Sequence, residues 1–309
     1  MRLMSATPEA GPGLFDRPYL LLTLTSLFWA SNLVIGRYAA PDIPPLAFAF
    51  LRWAGAALIV LPFAWKGLRS NWPVIRRNLP ILIFLSATGI GPYNALSYWA
   101  LAHTEAINAV LVQSTAPLLI AIWCFVLWGD RLTLAQFGGI LVSLLGVLVI
   151  VTRGVPAHLA ALSFNIGDMI IILALVLYGL YSAALRKRPA LDQLSFLASI
   201  VVCGTVLLLP FAAAEFIAGG RINFTPSTFA VLGYVMLFPS LIAYLFFNRG
   251  VQLIGANRAG PFFHLMPVFG SILAILFLGE EMHLFHIVGF LLVLGGVFVA
   301  TTRRSAPAQ

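Results

Sequence analysis

The residues of this chain that could do chemistry are few, and most carry no charge. Asn32, Asn94, Tyr98, Trp99, Ser114, Tyr178, Tyr181, Tyr244, Asn248 and His264 each interrupt a long apolar run. Ser97, Gln113, Thr115 and Ser182 add further hydroxyl and amide groups beside them. Such groups suit recognition better than bond breaking. Amides and hydroxyls can hold a carboxylate or an ammonium group without burying a fixed opposite charge, and aromatic faces can line an apolar or cationic part of a ligand. Any of the hydroxyl and amide groups could instead tie one helix to its neighbour. His264 is the sharpest candidate. It is the one histidine well inside an apolar run, and an imidazole titrates near neutral pH, so it could bind substrate or make binding proton-sensitive. Its structural alternative is a neutral ring bonded to a carbonyl freed by Pro267. Arg52 reads first as a structural cation, bonded to helix-end carbonyls or paired with Asp42 or Glu105, and second as a contact for a substrate carboxylate.

Catalytic constellations are missing. There is no H-E-x-x-H, no G-x-S-x-G, no Walker-type Gly-Lys loop and no pair of aspartates inside an apolar run. No catalytic residue, metal or cofactor is expected, and ATP-driven work by this chain alone is excluded. Cys124 and Cys203 lie in separate apolar runs and read as small buried hydrophobes, not as a disulfide or a metal site.

The elements that must position these residues are membrane helices. The 309 residues are 61% hydrophobic and 9% charged, with a mean hydropathy of +0.99. An ordinary soluble domain is roughly one quarter charged, so this chain would have no surface to offer water. Runs long enough for a bilayer core cover approximately 19–38, 44–65, 78–101, 104–128, 133–152, 164–186, 191–214, 226–249, 255–278 and 282–302. Backbone in lipid must satisfy its own hydrogen bonds, so all ten are expected to be helices. The net charge of +8 is an orientation signal and not a nucleic-acid signal. With the N-terminus inside, Arg37, Arg153 and Arg221 are the external cations, Arg52 lies within a span, and the rest of the 18 Lys and Arg residues fall on the cytoplasmic side. Both termini are therefore expected in the cytoplasm of a bacterial inner membrane, with short tails at 1–18 and 304–309.

The chain repeats itself. An offset of 150 residues carries Pro117 onto Pro267, Gly129 onto Gly279, Gly139 onto Gly289, Gly146 onto Gly296 and Ser114 onto His264. The two units are 19–153 and 154–303. Each holds five spans, an odd number, so the second must enter the membrane from the opposite side. Inverted repeats around a central cavity are the build of a secondary transporter, whose two open states become similar in energy. Pro117, Pro267, Gly129 and Gly279 are read as hinge or structural positions. Spans 5 and 10 carry glycines among Leu and Val, which lets helices approach closely, and read as peripheral scaffold. Asp130, Glu280 and Glu281 are expected to cap the helices that follow them.

Several of these segments resemble one family. Ala100–Ala106, Pro117, Gly129-Asp130-Arg131-Leu132-Thr133, Gly139 and Gly146-Val147 in the first unit, and Ala256-Asn257-Arg258-Ala259, Pro267-Val268, Gly279-Glu280-Glu281, Gly289 and Gly296-Val297 in the second, resemble the EamA domain of the drug/metabolite transporter superfamily. Trp29-Ala30-Ser31-Asn32 with Arg37, and Leu51-Arg52-Trp53, resemble its opening. The resemblance covers about residues 19–303 and implies a ten-helix carrier. Many members export amino acids or other small metabolites, and the YddG-type amino-acid exporters are similar in size and topology. Relatives move sugars, nucleotide-sugars or drugs. Small multidrug pumps of the superfamily rely on a Glu in span 1, which is absent here, so facilitated or weakly coupled flux is expected. The resulting expectation is an exporter of amino acids or related metabolites, with a drug or sugar exporter second and a membrane enzyme or receptor a distant third. Its partners would be its substrate and lipid. One chain completes both repeats, so a monomer suffices.

Overall fold

The computed structural model describes residues 13–39, 42–160, 163, 165–279 and 281–302. Glu280, Arg303 and most of both expected tails lie outside them. Helix α1 runs over Pro18–Ala39, 22 residues. Nine further helical stretches among the described residues are long and apolar enough to cross a membrane: Pro45–Ser70 (α2), Leu79–Leu101 (α3), Asn108–Trp128 (α4), Leu134–Val151 (α5), Ile166–Lys187 (α6), Gln193–Ile217 (α7), Pro226–Ile254 (α8), Ala256–Phe277 (α9) and Leu284–Thr301 (α10). Each lies within a few residues of the apolar run that calls for it.

Several of these helices are broken, and the breaks fall at proline. In α4 one segment ends at Gln113 and the next starts at Ala116, with Pro117 in its first turn. In α9 a tight 3-10 turn, Gly260–His264, precedes Leu265–Leu278, with Pro267 in the first turn of the resumed helix. Proline gives up no N–H in a first turn, where that donor would be unpaired anyway. Gly129 and Gly279 close α4 and α9 with φ of 70° and 69°, the left-handed conformation that favours glycine. Asp130, beside Gly129, does not cap. Helix α5 is capped by Thr133 and Gln136, each bonding the other's backbone, while Asp130 pairs with Arg186 at 3.1 Å. At α10, His283 gives its backbone N–H to His286 Nδ1 at 3.1 Å. A hydroxyl at α5 and an imidazole at α10 reach free amides of the kind Asp130 and Glu281 were expected to take.

The helices pack in pairs that mirror one another. α2 lies along α7 and α5 along α10. α1 packs on α8 and α9, while α6 packs on α3 and α4. The α5–α10 crossing is tight because it has no side chains at its centre. A Cβ added to Gly146 would sit 2.7 Å from the Gly289 carbonyl oxygen, and one added to Gly139 would sit 2.6 Å from that of Gly296. Gly138 and Gly295 face open space instead. A fully buried Trp53 and the rings of Tyr178, Tyr181 and Tyr244 fill the middle of the molecule.

Candidate functional site

A cavity of about 1350 Å³ enters the molecule from one end. Exposed Arg153, Glu281 and His283 stand at its mouth, and Asn32, Tyr98 and Gln113 line it deeper in. Its walls include Val149 to Val151 of α5 and Leu284 to His286 of α10. These two helices are therefore more than scaffold, because the breaks in α4 and α9 open a space that their ends must wall.

The vestibule continues into a second, small pocket of about 70 Å³, which shares Asn32, Tyr98, Leu101, Gln113 and Met266 with it. Arg52, Asn94, Ser97, Tyr178 and Tyr244 complete its polar wall. Trp29, Tyr93 and Phe263 supply ring faces. Of the residues expected at a site, Asn32, Asn94, Tyr98, Tyr178 and Tyr244 thus meet in one place, and Ser114 lines the vestibule next to it. Tyr93, Phe263 and Met266 join them with no signal in the sequence to separate them from ordinary core residues.

Arg52 is the centre of this wall. It is 3% exposed and meets neither Asp42, which bonds Asn223, nor the exposed Glu105. Nε donates to Ser240 Oγ at 2.5 Å, one terminal nitrogen donates to the Tyr98 hydroxyl at 2.5 Å, and the other to the Pro239 carbonyl at 3.1 Å. Its guanidinium also lies 5.1 Å from the Trp53 ring centre and 5.9 Å from that of Tyr98. Two of its acceptors come from a π-helical stretch of α8, Met236–Ile242. The cause is Pro239, which has no N–H for the Val235 carbonyl, so the Ser240 hydroxyl donates there at 2.6 Å. This frees the serine oxygen to face Arg52. π-turns recur at functional sites for this reason, since they re-aim groups that a regular helix would tie up. Tyr98 also lies 3.1 Å from the Asn32 amide, which extends the network to α1.

Beyond the small pocket the molecule is closed. Trp29, Tyr178, Phe247 and Phe263 form a cluster of rings with centres 5.3 to 6.0 Å apart. Tyr181 donates to Asn248 Oδ1 at 2.6 Å, and Tyr244 to the Gly89 carbonyl at 2.6 Å. Gln193 and Gln252 bond at 2.6 Å nearer the surface, where Arg249 pairs with Asp16 at 2.9 Å. Tyr181 and Asn248, expected to line a cavity, belong to this closure and line neither space.

His264 and Trp99 also stand outside both spaces. His264 is fully buried, with Nε2 donating to the Ser114 carbonyl at 2.8 Å and Nδ1 lying 2.5 Å from Ser143 Oγ. The twin positions 114 and 264 bond each other across the molecule, and the carbonyl served is one freed at the break in α4, not one freed by Pro267. Trp99 stacks on His103 with centres 3.9 Å apart. Asp168, an acid at the start of α6, is fully buried and accepts from the Asn165 amide at 2.8 Å, from Asn108 at 3.0 Å and from Thr104.

The sequence profile of the EamA-like transporter family matches residues 17–152 and again residues 165–302. The uncharacterized transporter YyaM of Bacillus subtilis is 28% identical over 287 residues, covering 92% of this chain and 93% of its own. A probable terminal-alkyne amino-acid exporter of Streptantibioticus cattleyicolor is 28% identical over 293 residues, covering 91% and 92%. The uncharacterized inner membrane transporter YicL of Salmonella typhimurium is 24% identical over 301 residues, covering 94% and 97%. One crystal structure of another protein shares the fold with a TM-score of 0.75 at 21% identity, covering 92% of this chain and 96% of that one. With the family profile matched along both halves, the chain belongs to the EamA-like transporter family, and it is a multi-pass membrane protein.

Proposed function

We propose that the protein is a secondary transporter that exports small metabolites, amino acids first among them, from a bacterial cytoplasm by alternating access. The observation that carries this reading is a vestibule open at one end only, leading to a small polar and aromatic pocket that is sealed at the other end. A carrier needs one site that each side reaches in turn. α1 is the tenth span in this reading, and the repeats are inverted. The mirrored packing supports it: α2 on α7 and α5 on α10 pair equivalent helices, and exchanging the halves turns the α1 contacts into the α6 contacts. The sealed end carries Lys66, Arg69, Arg76, Arg77, Arg186, Lys187 and Arg188, so it is the cytoplasmic end, with both termini there. The vestibule then faces outward. The likeness to a probable amino-acid exporter, and a pocket of hydroxyls, amides and rings, favour amino acids as cargo.

The test is uptake into liposomes holding the purified protein. Labelled amino acids are supplied with and without an imposed pH gradient. Saturable uptake that ignores the gradient is expected, because Asp168, a fully buried acid of α6, has its carboxylate engaged by three donors. Conversion of a solute without its movement would sink the reading.

A further inference from the structure

Arg52 is a buried cation with no acid beside it. Among the described residues the ion pairs are Arg186 with Asp130 and Arg249 with Asp16, both at surface positions. A lone cation in a membrane helix is costly, roughly 2.5–3.5 kcal/mol even by the mildest scale. A purely structural helix tie could be made by an amide without that cost. The guanidinium has five N–H groups. Three donate to Ser240, Tyr98 and Pro239, which leaves one N–H on each terminal nitrogen. Tyr178 lines the same pocket, is 2% exposed, and its hydroxyl has no hydrogen-bond partner. Two guanidinium protons and one hydroxyl are therefore unspent around a space of about 70 Å³.

That space takes a headgroup and not a whole metabolite, since a water molecule alone occupies roughly 30 Å³ of liquid. We infer that Arg52 is the specificity residue of the carrier and that the pocket admits a carboxylate, with the remainder of the substrate lying in the vestibule. This rests on the carrier reading above and narrows it. A carboxylate would supply the missing counter-charge, and its two oxygens would accept from the remaining N–H groups. Among the described residues no acid lines the small pocket, so an amine on the substrate is met by ring faces such as Trp29 and by Asn94. The vestibule is about twenty times larger and its walls are mostly apolar, so the carrier is strict about the carboxylate and tolerant of the side chain.

The test uses wild-type protein in liposomes. Labelled phenylalanine, leucine and glutamate are each compared with their carboxamide analogues, beside glucose as a neutral probe and tetraphenylphosphonium as a cationic one. Free acids are expected to be carried, with KM for the amide higher by roughly ten- to a hundredfold, the weight of one charged hydrogen bond. Arg52→Gln should impose the same loss on the acids and remove the preference for acid over amide, and Arg52→Lys should recover part of the acid flux. Equal flux of acid and amide in the wild type overturns the assignment while the carrier reading stands, and so does flux of glucose or tetraphenylphosphonium alone. No flux of any probe overturns both. The acid–amide comparison needs no variant, so it holds even if Arg52→Gln fails to fold.

Discussion

His264 has no route to solvent, and its two ring nitrogens are already assigned by their neighbours. A carbonyl accepts, so Nε2 carries the proton that goes to Ser114, and in the neutral ring Nδ1 accepts from Ser143 Oγ. One side chain thus joins the break in α4, the break in α9 and the buried face of α5. His264→Ala strands the Ser114 carbonyl in a dry interior and leaves a hole the size of an imidazole. The expected result is a loss of roughly 1–3 kcal/mol from the stranded acceptor alone, read as a lower thermal midpoint in detergent. KM for substrate should hold in whatever fraction stays folded, and His264→Gln, which keeps a donor, should recover part of the stability. A stable His264→Ala protein with weakened substrate binding would return the histidine to the substrate. The position of His264 in an apolar run, ahead of Pro267 and opposite its twin Ser114, is plain in the sequence. Its partner is not, because a polar side chain in lipid must find some acceptor and sequence spacing does not say whether that acceptor is a ligand or a carbonyl. Arg52 is the converse case. Its burial is legible from the apolar run around it, but the missing counter-ion is legible only once Asp42 and Glu105 are seen elsewhere.

At the scale of elements, hydrophobic length carried the most information. A bilayer demands about 20 apolar residues and a self-satisfied backbone, so the spans follow from composition to within a few residues at their ends. What composition does not carry is the way a helix is interrupted. The π-turn of α8 needs Pro239 and Ser240 together, and its consequence for Arg52 appears only when α2 is packed against it. The glycine crossing of α5 and α10 lies between these cases. The repeat offset marks Gly139, Gly146, Gly289 and Gly296 as special, yet Gly138 and Gly295 look the same in sequence. The structure separates them by what a side chain would meet. Gly146→Leu would drive its Cβ into the backbone of α10, which cannot rotate away as a side chain can. The two helices must part, at a cost of roughly 1–3 kcal/mol, and the purified protein should lose its monodisperse elution at lower temperature than the wild type. A Cβ at position 138 meets nothing within 4 Å, so Gly138→Leu should leave that temperature unchanged or raise it, since leucine is the better helix former. Equal loss from both variants would remove close helix approach as the reason for these glycines.

For the whole molecule, the proposed carrier cycle requires the vestibule and the seal to exchange places, and residues of both halves contribute to each. The break in α4 brings Ser114 to the vestibule wall, and the break in α9 brings Met266 and Pro267 there while burying His264. In the proposed cycle, closing the vestibule goes with opening the end held by Tyr181 and Asn248. The cost of opening that end is the loss of a few hydrogen bonds and ring contacts, each worth roughly 1 kcal/mol, which bound substrate can offset. Two serines report the exchange. Ser271 lines the vestibule and Ser182 is fully buried behind the ring cluster. In a background with Cys124 and Cys203 replaced by alanine, Ser271→Cys should react in whole cells with a membrane-impermeant thiol reagent before substrate is added. Ser182→Cys should resist that reagent from outside, and in inverted vesicles should react only as the carrier turns over. Substrate at the cytoplasmic face should then raise the Ser182→Cys rate in inverted vesicles and lower the Ser271→Cys rate in whole cells, because one cavity closes as the other opens. Rates that rise together would mean the two ends open independently, as in a channel, and the carrier reading would have to be given up even with the fold intact.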